Sequence, residues 1–213
     1  MKQLIATTLF STILFGQSAT ITVNNITGDG QDLAFSDSSS SLLTSGFISL
    51  YSFDSGSVPS TAAELHANGV TGLLGVTATF NSNTNNNSAD PGSFTRSFSD
   101  ITNNSVLDVY LVIGNGTDVN SSTELALLNT LLQLDGEDTG PTGDSLAYNA
   151  KGSPAELVIG TVDRDEIDWG ETVGSAYTTN VLSLEAVSVI PEPSSLVLSG
   201  LAALAFAGRR TRG

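Results

Sequence analysis

Short apolar runs separated by turn-forming residues dominate the chain and predict a mostly β domain. The clearest run covers residues 106–113 and ends at Gly114-Asn115-Gly116. A nearly continuous apolar run of this length is typical of a strand at the centre of a sheet. Further strands are predicted at residues 21–23, 46–53, 76–80, 94–98, 157–159 and 181–189. Polar loops are predicted at residues 36–41, 81–87 and 137–153, where Ser, Asn, Gly and Asp cluster.

Two segments carry helix signals. Residues 61–64 match a capping box, with Thr61 as N-cap and Glu64 reaching back, and Asn68-Gly69 is a natural end. Residues 121–124 repeat the pattern, and leucines then recur at helical spacing until Asp135-Gly136. These leucines are Leu125, Leu128, Leu131 and Leu132. The predicted architecture is therefore a β-sandwich or jelly-roll-like domain with two short helices.

The start of the chain predicts a secretory signal peptide. Lys2 precedes an uncharged apolar stretch, residues 4–15, and small residues follow at 16–19. This is the order of a positive region, an apolar core and a cleavage site. Cleavage after Ser18 and cleavage after Ala19 both fit. Residues 1–19 are therefore set apart from the exported domain, residues 20–190.

The end of the chain, residues 191–213, predicts a short membrane segment. Pro191, Glu192 and Pro193 precede an uncharged apolar run, residues 196–208, which as a helix spans roughly 20 Å. The hydrocarbon core of a bilayer is about 30 Å thick, so this transmembrane helix is a marginal anchor. A basic cluster closes the chain, formed by Arg209, Arg210 and Arg212. By the positive-inside rule these arginines stay cytoplasmic and the residues before Pro191 lie outside.

This order of features resembles the PEP-CTERM sorting signal of exported bacterial proteins. The resemblance implies that exosortase, a membrane protease-transpeptidase, recognises Pro191, Glu192 and Pro193 as a transient partner. It also implies anchoring in the inner membrane, followed by processing and delivery to the surface or extracellular matrix of an exopolysaccharide-producing bacterium. Exopolysaccharide or other matrix components are then the expected further partners. A plain C-terminal anchor without processing is the alternative.

The charge of the exported domain limits the classes of partner that it can bind. The chain has 22 acidic and 7 basic side chains. The two end segments contain one of the acids, Glu192, and four of the bases, Lys2, Arg209, Arg210 and Arg212. The exported domain therefore has 21 acidic and 3 basic side chains and a formal net charge of −18. Such a body repels nucleic acid and anionic polymers and favours cations or neutral glycans. The chain has no cysteine, so disulfides and thiolate sites are excluded.

Candidate chemistry in the domain is sparse. His66 is the only histidine, and no Gly-x-Ser-x-Gly pattern accompanies it, so it is interpreted as a surface helix residue. Paired carboxylates for glycoside hydrolysis stay open, because their separation is invisible in a sequence. Trp169 is interpreted either as an exposed platform for a sugar ring or as a core or rim residue. No catalytic residue is assigned, and the protein is not expected to be an enzyme.

Acidic and amide side chains give two weak metal candidates. Residues 163–168 contain Asp163, Asp165 and Asp168 and resemble part of a calcium loop, but they lack its glycine and terminal glutamate. A solvated, charged turn is the other interpretation. Residues 114–120 are a weaker candidate. No metal site is assigned, and no cofactor is expected beyond weakly indicated calcium.

Five Asn-x-Ser/Thr triplets indicate exposed loops; they begin at Asn25, Asn86, Asn103, Asn115 and Asn120. The sequence as a whole predicts an exported surface or matrix protein with a structural or interaction role. A carbohydrate-binding β-sandwich module and a secreted carboxylate-dependent glycoside hydrolase stay open as alternatives.

Overall fold

The computed structural model describes residues 18–27, 30–31, 33–69, 71–75, 77–81, 92, 94–102, 106–134, 145–168 and 176–188. Over these residues the chain is mostly β, as predicted, with one helix. The strands are β1 (Ser18–Asn24), β2 (Ile26–Thr27), β3 (Gly30–Gln31), β4 (Leu33–Ser36), β5 (Ser45–Tyr51), β6 (Ala78–Asn81), β7 (Thr95–Thr102), β8 (Leu107–Gly114), β9 (Glu124–Leu134), β10 (Ser145–Asn149), β11 (Leu157–Ile159), β12 (Thr161–Asp168), β13 (Ala176–Ser183) and β14 (Glu185–Ala186). The helix is α1 (Ala62–Asn68).

The largest sheet has the order β11-β9-β8-β5-β6, with β14 also paired to β9. Its strands are antiparallel, and β8 lies at the centre, as the apolar run predicts. Two three-stranded sheets, β10-β1-β7 and β12-β13-β4, and the two-stranded β2-β3 complete the fold. β1 pairs with β10, and β4 with β13, in parallel. Both small sheets therefore join segments that are far apart in sequence.

Both faces of the large sheet are buried. On one face, Ile48, Leu111 and Leu128 share a core with Ile21 of β1 and Phe98 of β7. The first core also takes Leu33 and Phe35 of β4 and Leu182 of β13. The opposite face has a second core, formed by Phe47, Tyr51, Tyr110, Val112, Leu125 and Leu127 with Ala62, Leu65 and Val119. Strands covered on both sides need apolar residues at successive positions, which explains the unbroken run in β8.

The predicted helix at residues 61–68 is confirmed as α1. Thr61 is its N-cap, and its hydroxyl accepts the Glu64 N–H at 3.2 Å. Glu64 Oε2 accepts the N–H of Ser60 at 2.8 Å, one residue before the cap. The Gly69 N–H donates to the carbonyl of His66, which ends the helix. These signals are local in sequence, so they can be recognised without the fold.

The prediction of a second helix at residues 121–134 is wrong, because this segment is the strand β9. Leu125 and Leu127 point into the second core, while Ala126 and Leu128 point into the first. Residues 125–128 are buried on both faces of the sheet and are all apolar. Helical spacing therefore appears among the leucines of this segment without a helix. Pairing with β8 and β11 then decides the backbone conformation.

Other segments also differ from the prediction. The predicted loop at residues 137–153 contains β10, which pairs with β1. The predicted turn at residues 163–168 lies in β12, whose eight residues pair with β13. The last predicted strand is divided into β13 and β14, and β13 begins earlier, at Ala176. Many positions in these strands are polar, so the sequence carries little strand signal there.

Candidate functional site

The predicted sorting residues lie outside the described residues. This holds for Pro191, Glu192 and Pro193, and also for Arg209, Arg210 and Arg212. Residues 1–17 of the expected signal peptide, the loop at 82–87 and Trp169 are outside as well. Ser18 and Ala19, placed by sequence at the end of the signal peptide, lie in β1, where Ala19 is buried. Within the described ranges, no helix has the length and apolarity to cross a membrane.

His66 joins α1 to a neighbouring loop. The side chain lies in the last turn of the helix and is partly exposed, and its Nε2 is 3.2 Å from the carbonyl oxygen of Asn120. This is the surface helix position that the sequence predicts. Its partner is a backbone carbonyl, so the ring connects two elements of the fold.

The loop between β8 and β9, residues 115–123, is tied by its own polar side chains. Asn115 Oδ1 accepts the N–H groups of Thr123 and Glu124, and its Nδ2 donates to the Thr123 hydroxyl. Asp118 Oδ1 accepts the Ser121 N–H at 2.8 Å. The N–H and hydroxyl of Ser121 hold the pKa of Asp118 below its ordinary value. Two oxygens of this weak metal candidate, Asn115 Oδ1 and Asp118 Oδ1, are thus engaged in closing the loop.

A shallow depression of about 500 Å³ lies beside this loop. Hydroxyl and amide side chains of Ser45, Thr79, Asn115, Thr117 and Ser121 contribute to its lining, together with Phe80. A second depression of similar size lies between β6 and β7, lined by Leu74, Thr77 and Asp100 among others. Both are open, and neither gathers a set of titratable groups among its lining residues.

The acidic residues 163–168 adopt an extended conformation in β12. Pairing with β13 along all eight residues keeps the backbone of this segment extended. A calcium loop instead curls its oxygens around one ion. In the part of the chain that the structure describes, no three His, Cys, Asp or Glu side chains are grouped as metal ligands.

Glu156 is a buried carboxylate that sequence reasoning does not single out. Its Oε2 accepts hydrogen bonds from the Tyr148 hydroxyl and from the N–H groups of Lys151 and Gly152, at 3.0–3.2 Å. Burial, followed by the negative charge of Glu156, raises the pKa of Tyr148. The carboxylate organises the turn between β10 and β11. The only signal available in the sequence is an acid next to an apolar run.

Asn25 contradicts the expectation that Asn-x-Ser/Thr triplets mark exposed loops. It is fully buried, its Nδ2 donates to the carbonyls of Leu33 and Gly92, and its Oδ1 accepts the Phe94 N–H, each at 2.7 Å. The Asn25 side chain therefore serves as hydrogen-bond partner for three backbone groups, as a neighbouring strand otherwise would. Asn120 is exposed, as expected.

The sheet β10-β1-β7 presents an uncharged outer face, which we call the polar face. Its inner face contributes Ile21, Val23 and Phe98 to the first core. The alternate residues lie on the other face: Thr20, Thr22 and Asn24 of β1, Thr95 and Ser97 of β7, and Ser145, Ala147 and Asn149 of β10. The side-chain oxygens of Asn24 and Asn149 are buried there. The Thr22 and Ser97 hydroxyls are 2.9 Å apart. The alternation Thr20-Ile21-Thr22-Val23-Asn24 is visible in the sequence, but its partner strands are not.

Comparison with known proteins gives one finding. Residues 189–212 match the PEP-CTERM protein-sorting motif, the segment in which the sequence places Pro191, Glu192 and Pro193 ahead of an apolar run and three arginines. No curated protein and no solved structure matches the chain. The chain therefore carries a PEP-CTERM sorting signal, which supports recognition by exosortase and sorting to the surface.

Proposed function

We propose that the protein is a non-catalytic surface or extracellular-matrix protein, released from a transient membrane anchor by exosortase. The match of residues 189–212 to the PEP-CTERM motif carries this proposal. The exported body is then a β-sandwich-like domain, since strands of the large sheet and of the small sheets share the first core. Its net charge of −18 suits a hydrated polymer layer.

The use of carboxylates in the described body supports a non-catalytic role. The Ser39 hydroxyl and then backbone N–H groups lower the pKa of Asp37, and backbone N–H groups lower the pKa of Glu64 and of Asp118. Glu185 accepts the N–H of Ala62 at the start of α1. A glycoside hydrolase needs one carboxyl group whose pKa is raised so that it can act as an acid. The pKa shifts of Asp37, Glu64 and Asp118 run in the opposite direction.

A carbohydrate-binding module is the second candidate function. The observation that favours it is the polar face, whose Thr and Ser side chains offer hydroxyl groups without a charge. This candidate is compatible with surface sorting, because a matrix protein has to be held by a matrix component.

The sorting half of the proposal is tested with a variant in which Pro191, Glu192 and Pro193 are all replaced by alanine. We expect this variant to remain in the membrane fraction of the native host, while the wild-type protein is found at the surface or in the medium. Thr161→Ala, an exposed change in β12, is the control and should be sorted normally. Equal surface delivery of the triple variant and the wild type would contradict the proposal.

The non-catalytic half is tested separately. Surface protein from the host is incubated with the host's own polysaccharide, and new reducing ends are measured. We expect none above a heat-denatured control. Release of reducing ends that grows with protein concentration would assign a hydrolase activity instead.

A further inference from the structure

We propose that the polar face of the sheet β10-β1-β7 is a binding surface for a neutral polysaccharide chain. The inference rests on the proposed surface location and adds to it the place and the chemistry of the contact. Three observations carry it: the regular arrangement of short polar side chains, the absence of charge among them, and the strongly acidic character of the rest of the domain.

The side chains of the polar face form rows across the three strands. Ala147, Thr22 and Ser97 are register partners in one row, and Asn149, Asn24 and Thr95 form the next. Neighbouring strands are about 4.8 Å apart, and successive outward residues of a strand are about 6.7 Å apart. The result is a set of hydroxyl groups at positions fixed by the backbone, next to Asn24 and Asn149, whose side-chain oxygens are buried. Because Ser and Thr side chains are short, a ligand orders few rotatable bonds when it binds them.

Charge identifies the class of ligand. Carboxylates are found on the described surfaces elsewhere, for example Asp54 and Glu64 around α1, Asp118 in the loop 115–123 and Asp163 on β12. None of the residues that define the polar face is charged, and Asp100, in the bulge of β7, lies at its end. An anionic polymer is repelled by a body of net charge −18. An uncharged chain can lie on this face without desolvating a carboxylate.

A glycan is the uncharged polymer whose groups match this surface. Each sugar carries hydroxyls that both donate and accept hydrogen bonds, as do the Thr and Ser hydroxyls of the polar face. No aromatic side chain belongs to the polar face, so binding per sugar is weak and depends on many repeated contacts along the polymer. Weak, repeated contact is suited to holding a protein in a matrix.

Affinity gel electrophoresis tests the inference with the exported protein purified from its host. The gels contain dextran, hydroxyethyl cellulose or galactomannan, and a matched gel contains carboxymethyl dextran. We expect retardation by at least one neutral polymer and none by the charged one.

Thr22→Val removes a hydroxyl while keeping a β-branched side chain, and should weaken binding roughly two- to tenfold. Ala147→Gln places a longer uncharged side chain on the face and should obstruct the polymer.

Thr161→Val is the matched control, because Thr161 is also an exposed strand threonine but lies on β12. It should bind as the wild type does. The inference is overturned if none of the three neutral polymers retards the wild type, or if Thr161→Val weakens binding as much as Thr22→Val. A wild-type dimer that Ala147→Gln converts to a monomer in sedimentation would assign the face to a second copy of the chain. Protein from the membrane fraction can be run in the same gels, so a failure of sorting is distinguishable from a failure of binding.

Discussion

Asn25 and Asp118 each satisfy several polar groups of the chain, one in the core and one at the surface. Asn25 holds backbone groups of Leu33, Gly92 and Phe94. Asp118 holds the N–H of Ser121 and the turn around it. The triplet that begins at Asn25 predicts exposure wrongly, because a local pattern contains no information on partners 67 and 69 residues away. The loop around Asp118 uses partners within a few residues.

Replacing Asn25 with alanine should lower the free energy of unfolding by about 3 kcal/mol or more, because two buried carbonyls and one N–H lose their partners at about 1–3 kcal/mol each. In a domain of this size that is a fall in the melting temperature of roughly 6–12 °C. Asn120→Ala, at an exposed position, should change stability by no more than about 0.5 kcal/mol. Urea unfolding followed by circular dichroism measures both variants. Equal effects would mean that the Asn25 network does not stabilise the core.

Asp118 should make the stability of the folded protein depend on pH. Its pKa is lower in the folded protein than its ordinary value of about 3.9, so its charge stabilises the fold above that pH. The contribution is lost as the pH falls through the lowered folded value. Asp118→Asn keeps an oxygen acceptor but removes the charge. Unfolding midpoints should therefore favour the wild type at pH 7, and the difference should shrink as the pH falls below about 4 and close below the lowered folded pKa. A difference that stays constant with pH would contradict this assignment.

At the scale of elements, the sequence predicts an element correctly when near neighbours in the chain define it. It does not do so when the element is defined by pairing with another strand. α1 is predictable because Thr61, Glu64 and Gly69 define its ends through near neighbours. β8 is predictable because a buried central strand is apolar on both faces. β9 has the same property, yet its leucines match a helix, since only its pairing with β8 distinguishes the two. β10 is short and is specified by a distant partner, β1, whereas β12 is largely polar and is specified by pairing with the next strand, β13.

The bulge in β9 gives a prediction about a strained residue. Leu131 has a positive φ of 58° and is 64% exposed, so its side chain neither fits the backbone nor contributes to a core. A non-glycine residue in this conformation costs about 1–2 kcal/mol. Glycine avoids this cost, but part of the gain is lost because glycine has more conformational freedom in the unfolded chain.

Leu131→Gly should therefore raise the free energy of unfolding by about 0.5–1 kcal/mol. Leu132→Gly, one residue on, removes a side chain packed against the first core and should lower it by about 2 kcal/mol. Thermal unfolding of the two variants beside the wild type decides the matter. If Leu131→Gly is as destabilising as Leu132→Gly, the bulge conformation is not strained.

At the scale of the whole molecule, the chain combines a folded acidic body with a sorting signal at its end. The signal can be recognised from sequence because it is a linear pattern: Pro191-Glu192-Pro193, an uncharged run and an arginine cluster. The polar face cannot, because it arises only when β1, β7 and β10 come together from three regions of the chain. Location is thus encoded in consecutive residues, whereas the proposed contact surface depends on the fold.

The most direct test of sorting by exosortase is the intact mass of the protein from its native host, measured in paired strains with and without that enzyme. With exosortase, we expect a mature chain that lacks the residues beyond the Pro191-Glu192-Pro193 region. Without it, we expect a chain that keeps its tail through Gly213 and remains in the membrane fraction. Recovery of the complete tail, Leu196 to Gly213, in both strains would show a simple anchor and contradict sorting by exosortase.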